Sequence, residues 1–109
     1  MAPDPLVIDQ TYSEDLKSGR RCCTIRLGKR NIHVGEIFRA LCGEEEFYLY
    51  IQAVKFKRVR KLTDLDARND GFERTQALIS VLATYYPNLS RNDWITIISF
   101  RLMGESSDE

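Results

Sequence analysis

The chain reads as a single α+β domain, a small mixed β-barrel with two or three helices packed outside it, and three stretches predict this. The run from Phe47 to about Arg60 is long and rich in Tyr, Ile, Val and Phe, and its apolar face changes at Ala53-Val54. Leu49, Ile51 and Ala53 alternate against Tyr48, Tyr50 and Gln52, after which Val54 and Phe56 stand opposite Lys55 and Lys57. A strand that switches faces carries a bulge or bend, and a bent long strand is what a closed or half-closed barrel needs. From Leu62 the apolar period becomes helical. From Trp94 to Leu102 it returns to that of a strand, apolar on both faces at its start and therefore expected inside the sheet.

Taken in order, Met1 to Pro5 contains two prolines and is expected to be a disordered lead-in, and Leu6-Val7-Ile8 forms either a short first strand or a docking segment. Ser13-Glu14-Asp15 opens a short helix with Ser13 as its cap, Leu16 is the apolar contact of that helix, and Gly19 stops it. A strand from Cys22 to Leu27 follows, then a turn at Gly28 to Asn31 and a tight turn over 32–36 into the strand Ile37 to Leu41. His33 alternates with Ile32 and Val34 and should face solvent. Gly43 with Glu44 to Glu46 turns the chain into the long strand. Thr63-Asp64-Leu65-Asp66 has the form of a capping box, and Gly71 closes its short helix. Glu73 to Tyr86 is a further helix with Leu78, Leu82 and Tyr85 on one stripe, and Ser90 to Asp93 is a turn. The domain spans 1–103, and 104–109 is an acidic, disordered tail.

The 109 residues carry a formal net charge of zero, with 43% hydrophobic and 29% charged residues, as in an ordinary globular domain. The zero hides a local asymmetry. Between Lys17 and Arg30 stand six basic residues and no acidic one, and Lys55 to Lys61 adds five more, while acids collect at Glu44 to Glu46, at Asp64 to Glu73 and in the tail. A dipolar molecule with a basic face able to meet phosphate follows. Cys22, Cys23 and Cys42 are odd in number, which favours reduced thiols and a cytoplasmic setting. One histidine cannot complete a zinc-type ligand set, so neither metal nor cofactor is expected. The apolar runs are too short to span a membrane.

The chemistry concentrates at Gly19-Arg20-Arg21-Cys22-Cys23-Thr24-Ile25-Arg26. In a strand Thr24 and Arg26 share a face, and the glycine turn can bring Arg21 round to it. Such a cluster binds an anion or a polarised carbonyl. Thr24 taken alone is an ordinary strand residue. Asp64 and Asp66 suit a helix N-terminus, but Asp70 lies at the unfavourable pole and calls for a cationic partner such as Arg21 or Arg26. Lys29, Arg30, Lys55, Lys57, Arg58, Arg60 and Lys61 are the nucleic-acid-binding candidates, with Tyr48 and Tyr50 as stacking faces. The Tyr, Leu and Trp residues of the helix and last strand are assigned to the core.

Four stretches in this order, Gly19 to Arg26, Val34-Gly35-Glu36, Leu62 to Phe72 and Asp93 to Phe100, resemble the ASCH domain, the activating-signal-cointegrator homology family, over nearly the whole chain. The resemblance implies a PUA-like barrel with a cleft between the first strand region and the helix of Thr63 to Asp70. It also implies binding of RNA or modified nucleosides. In one branch of the family it implies an amidohydrolase that removes the acyl group of N(4)-acetylcytidine, using a threonine nucleophile, an activating lysine and a carboxylate. By motif position these fall on Thr24, Arg21 and Asp70, the catalytic candidates.

Arginine at position 21 departs from the lysine of that branch, and a guanidinium does not give up its proton near neutral pH as a desolvated lysine can. The first expectation is therefore a monomeric module that binds RNA or a nucleoside through Arg21, Thr24, Arg26 and Asp70. The second is an amidohydrolase with Asp70 as base or orienting carboxylate. The third is a protein-interaction module.

Overall fold

The computed structural model describes residues 5–105. A five-stranded sheet has the order β1-β3-β4-β5-β2, with β1 (Leu6–Ile8), β2 (Cys23–Leu27), β3 (Ile37–Cys42), β4 (Glu45–Arg58) and β5 (Trp94–Glu105). β1 runs parallel to β3 and every other pair is antiparallel. The helices are α1 (Ser13–Ser18), α2 (Asp64–Asn69) and α3 (Thr75–Tyr85). The sheet curls into a mixed half-barrel, the architecture of a small PUA-like barrel.

The face switch in β4 is borne out. Its register against β5 shifts between Ile51 and Ala53, so Ile51 and Val54 both serve the barrel interior. That interior is packed by Ile8, Leu16, Phe38, Phe47, Leu49, Ile51, Ile98 and Phe100. Beyond the bulge the expected apolar parity gives out: Phe56 is 46% exposed, and Lys57 turns to Asp66 instead of solvent. The opposite face packs Cys23, Ile25, Ile95 and Ile97 against Ala67, Leu78 and Leu82 of α2 and α3.

Three local expectations need correction. Ser13 is the first residue of α1 and not its cap; the preceding 3-10 turn Gln10–Tyr12 is capped by Asp9, whose carboxylate accepts from the Thr11 N–H at 2.9 Å. Ser13 Oγ instead donates to Glu45. In α3, Leu78 and Leu82 are buried but Tyr85 is exposed, because the stripe leaves the core before the last turn. β5 continues through Glu105, opposite Phe47 of β4, so two residues assigned to the tail have strand backbone. The remaining tail residues, 106–109, and most of the expected lead-in lie outside the described residues. No described helix is long and apolar enough to cross a membrane.

Candidate functional site: a pocket in the seam of the half-barrel

β1 and β2 are the two edges of the sheet, and the curl brings them to face each other across a gap. A cavity of about 420 Å³ opens there, between the strand edges and α3. Asp9, Arg21, Thr24, Arg26 and Asp70 supply its polar lining, and Tyr12, Phe72, Leu78, Leu82, Tyr85 and Tyr86 much of its apolar and aromatic lining.

Local structure explains how Arg21, Thr24, Arg26 and Asp70 converge. Gly19 takes φ +83°, which turns the chain out of α1. The next residues are tied on two sides, since Arg21 N–H donates to Asp15 O and Cys22 N–H to Asn69 O, each at 3.0 Å. The Arg21 side chain then lies back along β2. Its Nε donates to Cys23 O at 3.3 Å, and its Nη2 is 3.5 Å from Thr24 Oγ1. Its guanidinium stacks 4.3 Å from the centre of the Tyr12 ring, which meets Phe72 edge to face at 6.1 Å. From α2, the expected Thr63–Asp66 capping box forms, and Asp70 is the C-cap residue. Gly71 at φ +92° then releases the chain, and Phe72 follows on the pocket wall.

The proposed compensation of Asp70 by an arginine is present: Oδ1 lies 3.1 Å from Arg21 Nε, with Asp70 3% and Arg21 8% exposed. The contact is electrostatic, because the Nε–H is aimed at the Cys23 carbonyl. Burial pushes the Asp70 carboxyl up to about 7, against the pull of Arg21 and Arg26. Burial also lowers the value of Arg26. Among the described residues, Arg21 Nη1, Arg26 Nε and Asp70 Oδ1 are buried with no hydrogen-bond partner. All three atoms belong to residues that line the one cavity, and buried polar groups without partners concentrate where a protein has a functional use for them.

The basic candidates do not join this pocket. Lys57 is spent on Asp66 at 2.6 Å. Lys29 Nζ and Arg58 Cζ lie 4.1 Å and 4.3 Å from the Trp94 ring centre, and Arg60 bonds the Asn92 side chain. Arg30 donates to Leu27 O, and Lys55 and Lys61 are exposed. Tyr48 and Tyr50 lie on β4, outside the pocket, and Tyr50 is covered by Arg101 at 4.8 Å. The pocket's rings are Tyr12, Phe72, Tyr85 and Tyr86, which sequence reasoning missed. The signal available for Tyr85 and Tyr86 was their place in the last turn of α3, where the apolar stripe runs out. The thiols of Cys22, Cys23 and Cys42 are free, and burial pushes that of Cys23 far up.

No family model and no curated protein matches the sequence. Solved structures match its fold. The chain is similar to a protein of the DUF984 family model from Enterococcus faecalis V583, with a TM-score of 0.75 at 14% identity over 100% of this chain and 85% of that one. It is similar to the ASCH domain from Lactobacillus crispatus JV V101, with a TM-score of 0.74 at 11% identity over 91% and 77% of the two chains. A mutant of the ASCH protein of Zymomonas mobilis gives 0.62 at 12% identity over 88% and 66%. At these identities the likeness is one of fold. The chain has the fold of the ASCH domain, as the order of its four motifs implies.

Proposed function

We propose that the protein is an ASCH module that binds a modified nucleoside, free or unpaired in RNA, in the pocket of Arg21, Thr24, Arg26 and Asp70. The observation that carries this reading is the set of three buried, unpartnered atoms that belong to residues lining a cavity with aromatic walls. Arg21 Nη1 and Arg26 Nε are donors, suited to ring carbonyl oxygens and nitrogens, and Asp70 Oδ1 is an acceptor, suited to a ring or exocyclic N–H. Tyr12, Phe72, Tyr85 and Tyr86 offer the surfaces against which a planar base packs. The protein acts as a monomer, and its three free thiols suit a reducing, cytoplasmic compartment. Calorimetric titration with N(4)-acetylcytidine tests the reading: saturable binding that Asp70→Asn weakens by about tenfold supports it, and an absence of heat in the folded protein refutes it.

A second reading, the amidohydrolase, is favoured by one pairing: a buried Thr24 hydroxyl 3.5 Å from Arg21 Nη2 and a carboxyl held near neutrality at Asp70. In it Thr24 Oγ attacks the acyl carbonyl and its proton passes to Asp70. Arg21 stabilises the oxyanion, the departing amine takes the proton back, and water then frees the acyl group from Thr24. Conversion of N(4)-acetylcytidine to cytidine, followed by liquid chromatography, decides it. The hydrolase predicts turnover that vanishes in Thr24→Ala and rises in Arg21→Lys, and the binding module predicts none.

A further inference from the structure

One wall of the pocket is anchored from outside it. Asp9 and Tyr12 line the cavity, and both lie in the segment that leads from β1 into α1. This segment holds Arg21 in two places. Asp15 O accepts the Arg21 N–H at 3.0 Å, and the guanidinium carbon lies 4.3 Å from the centre of the Tyr12 ring. The anchor is the turn of the β3–β4 hairpin, residues 42–45. Cys42 Sγ donates to Asp9 O at 3.3 Å. Gly43, at φ +64°, leaves the space that Gln10 fills, since a Cβ there would lie 2.7 Å from Gln10 Cγ and Cδ. Glu45 makes two further contacts: one carboxylate oxygen accepts from Ser13 Oγ, next to Tyr12, and the other meets Lys17 Nζ at 2.6 Å. Bonds from Lys17 and Ser13 hold the Glu45 carboxyl below its ordinary value, so both contacts are made to a charged group at neutral pH. Ser13 and Lys17 are four residues apart on one face of α1, so a single carboxylate fixes both the position and the rotation of that helix.

We propose that Glu45, which does not line the cavity, is a positioning residue of the pocket: it holds Ser13 and Lys17, and through them Tyr12 and Asp15, so that the Arg21 guanidinium keeps its place between Tyr12 and Asp70. An arginine side chain has many rotamers, and an aromatic ring stacked on its guanidinium removes much of that freedom before a ligand arrives. When the wall that carries the ring loosens, the ligand must select the docked arrangement. Apparent affinity then falls in proportion to the fraction of molecules that have it. The effect on ligand rests on the nucleoside reading of the pocket, whereas the effect on Arg21 does not.

The test is the NMR spectrum of the unliganded protein, because the Tyr12 ring current shifts the side-chain protons of Arg21 upfield. In Glu45→Ala, a change at a partly exposed position, these protons should move toward the values of free arginine. The Arg26 Nε–Hε signal should stay in place, since that side chain is tied to Val7 on β1. Calorimetric affinity for N(4)-acetylcytidine should fall about fivefold in the same variant. Glu45→Gln, which keeps one acceptor oxygen, should lie between the two proteins in both measurements. Arg39→Ala, which breaks the hairpin's other ion pair, to Glu46 at 3.2 Å, should change neither. Arg21 protons that stay unmoved in Glu45→Ala overturn the proposal. So does an equal displacement of Arg26 and of the β4–β5 amides, which would make Glu45 a general stabiliser, and so does a displaced Arg21 with full affinity. Arg21 protons that move as expected, with no nucleoside bound even by the unmodified protein, would overturn the pocket reading and leave the positioning of Arg21 standing.

Discussion

Arg26 on β2 donates from Nη2 to the main-chain carbonyl of Val7 on β1 at 3.1 Å, so a side chain joins the two edges of the sheet where no strand pairing does. The same guanidinium leaves its Nε buried and unpartnered beside the cavity. The two features oppose each other energetically. A hydrogen bond from a charged group contributes about 1.5–3 kcal/mol, and an unsatisfied buried donor costs about 1–3 kcal/mol. Arg26→Met, which keeps the apolar stem, should therefore move the melting temperature by less than about 5 °C while weakening nucleoside binding about tenfold or more. Thermal unfolding and calorimetry on the one variant check both parts. A large loss of stability with intact binding would make Arg26 a structural clasp only.

Asp70 gives the protein a pH signature. Its carboxyl moves from 3.8 up to about 7, through burial first and against the attraction of Arg21 and Arg26. Because the folded value lies above the unfolded one, the native state holds a proton that the unfolded chain has already released, and stability falls as pH rises through that window. Urea unfolding should show a midpoint that declines between about pH 4 and about pH 7, and Asp70→Asn should flatten the decline. Nucleoside affinity should rise over the same window in the unmodified protein, as Asp70 becomes an acceptor. Parallel profiles for the two proteins would contradict the assignment.

The basic run makes Lys57 a candidate phosphate contact, but its 2.6 Å bond to Asp66 makes it a structural residue. Burial opposes ionisation of Asp66, but hydrogen bonds from Lys57 and the Thr63 N–H outweigh it and hold the carboxyl below its ordinary value. Lys57→Met removes a partner from a carboxylate that is 7% exposed and caps α2. The expected loss is about 1–2 kcal/mol, read as a lower urea midpoint.

Tyr85 and Asp9 close the rim of the pocket. The phenol donates to Asp9 Oδ2 at 3.3 Å and ties the end of α3 to the turn after β1, and both residues are exposed. An exposed hydrogen bond of this kind adds little stability, so Tyr85→Phe should unfold within about 0.5 kcal/mol of the unmodified protein. Stopped-flow mixing with N(4)-acetylcytidine should show faster association and dissociation with a nearly unchanged ratio. Unchanged rates would show that ligand does not pass this rim.

Much of the fold was legible because local rules and tertiary packing agree on it. The Thr63–Asp66 capping box, the αL stop at Gly19 and the bend in β4 are each dictated by a few neighbouring residues, and each forms. Ser13 misled because a cap is decided by the preceding backbone, and Asp9 had already started a 3-10 turn. The polar residues of the pocket could be found from the turn before β2 and the end of α2. Its aromatic wall could not, because Tyr12, Phe72, Tyr85 and Tyr86 come from three separate segments that meet only when the sheet curls and its edges approach. The fate of the basic run was equally hidden. Neighbours in sequence, Lys57 and Arg58, project to opposite faces of β4, one to Asp66 and the other to Trp94.

The most direct measurement of the central claim follows the arginine Nε–Hε resonances of Arg21 and Arg26 by proton–nitrogen correlation NMR during titration with N(4)-acetylcytidine. Binding in the seam predicts that the Arg26 signal, unpartnered before the ligand arrives, shifts saturably with the calorimetric affinity, and that the Arg21 signal moves with it. Saturation of the protein with both signals unmoved would place the nucleoside elsewhere and contradict the account.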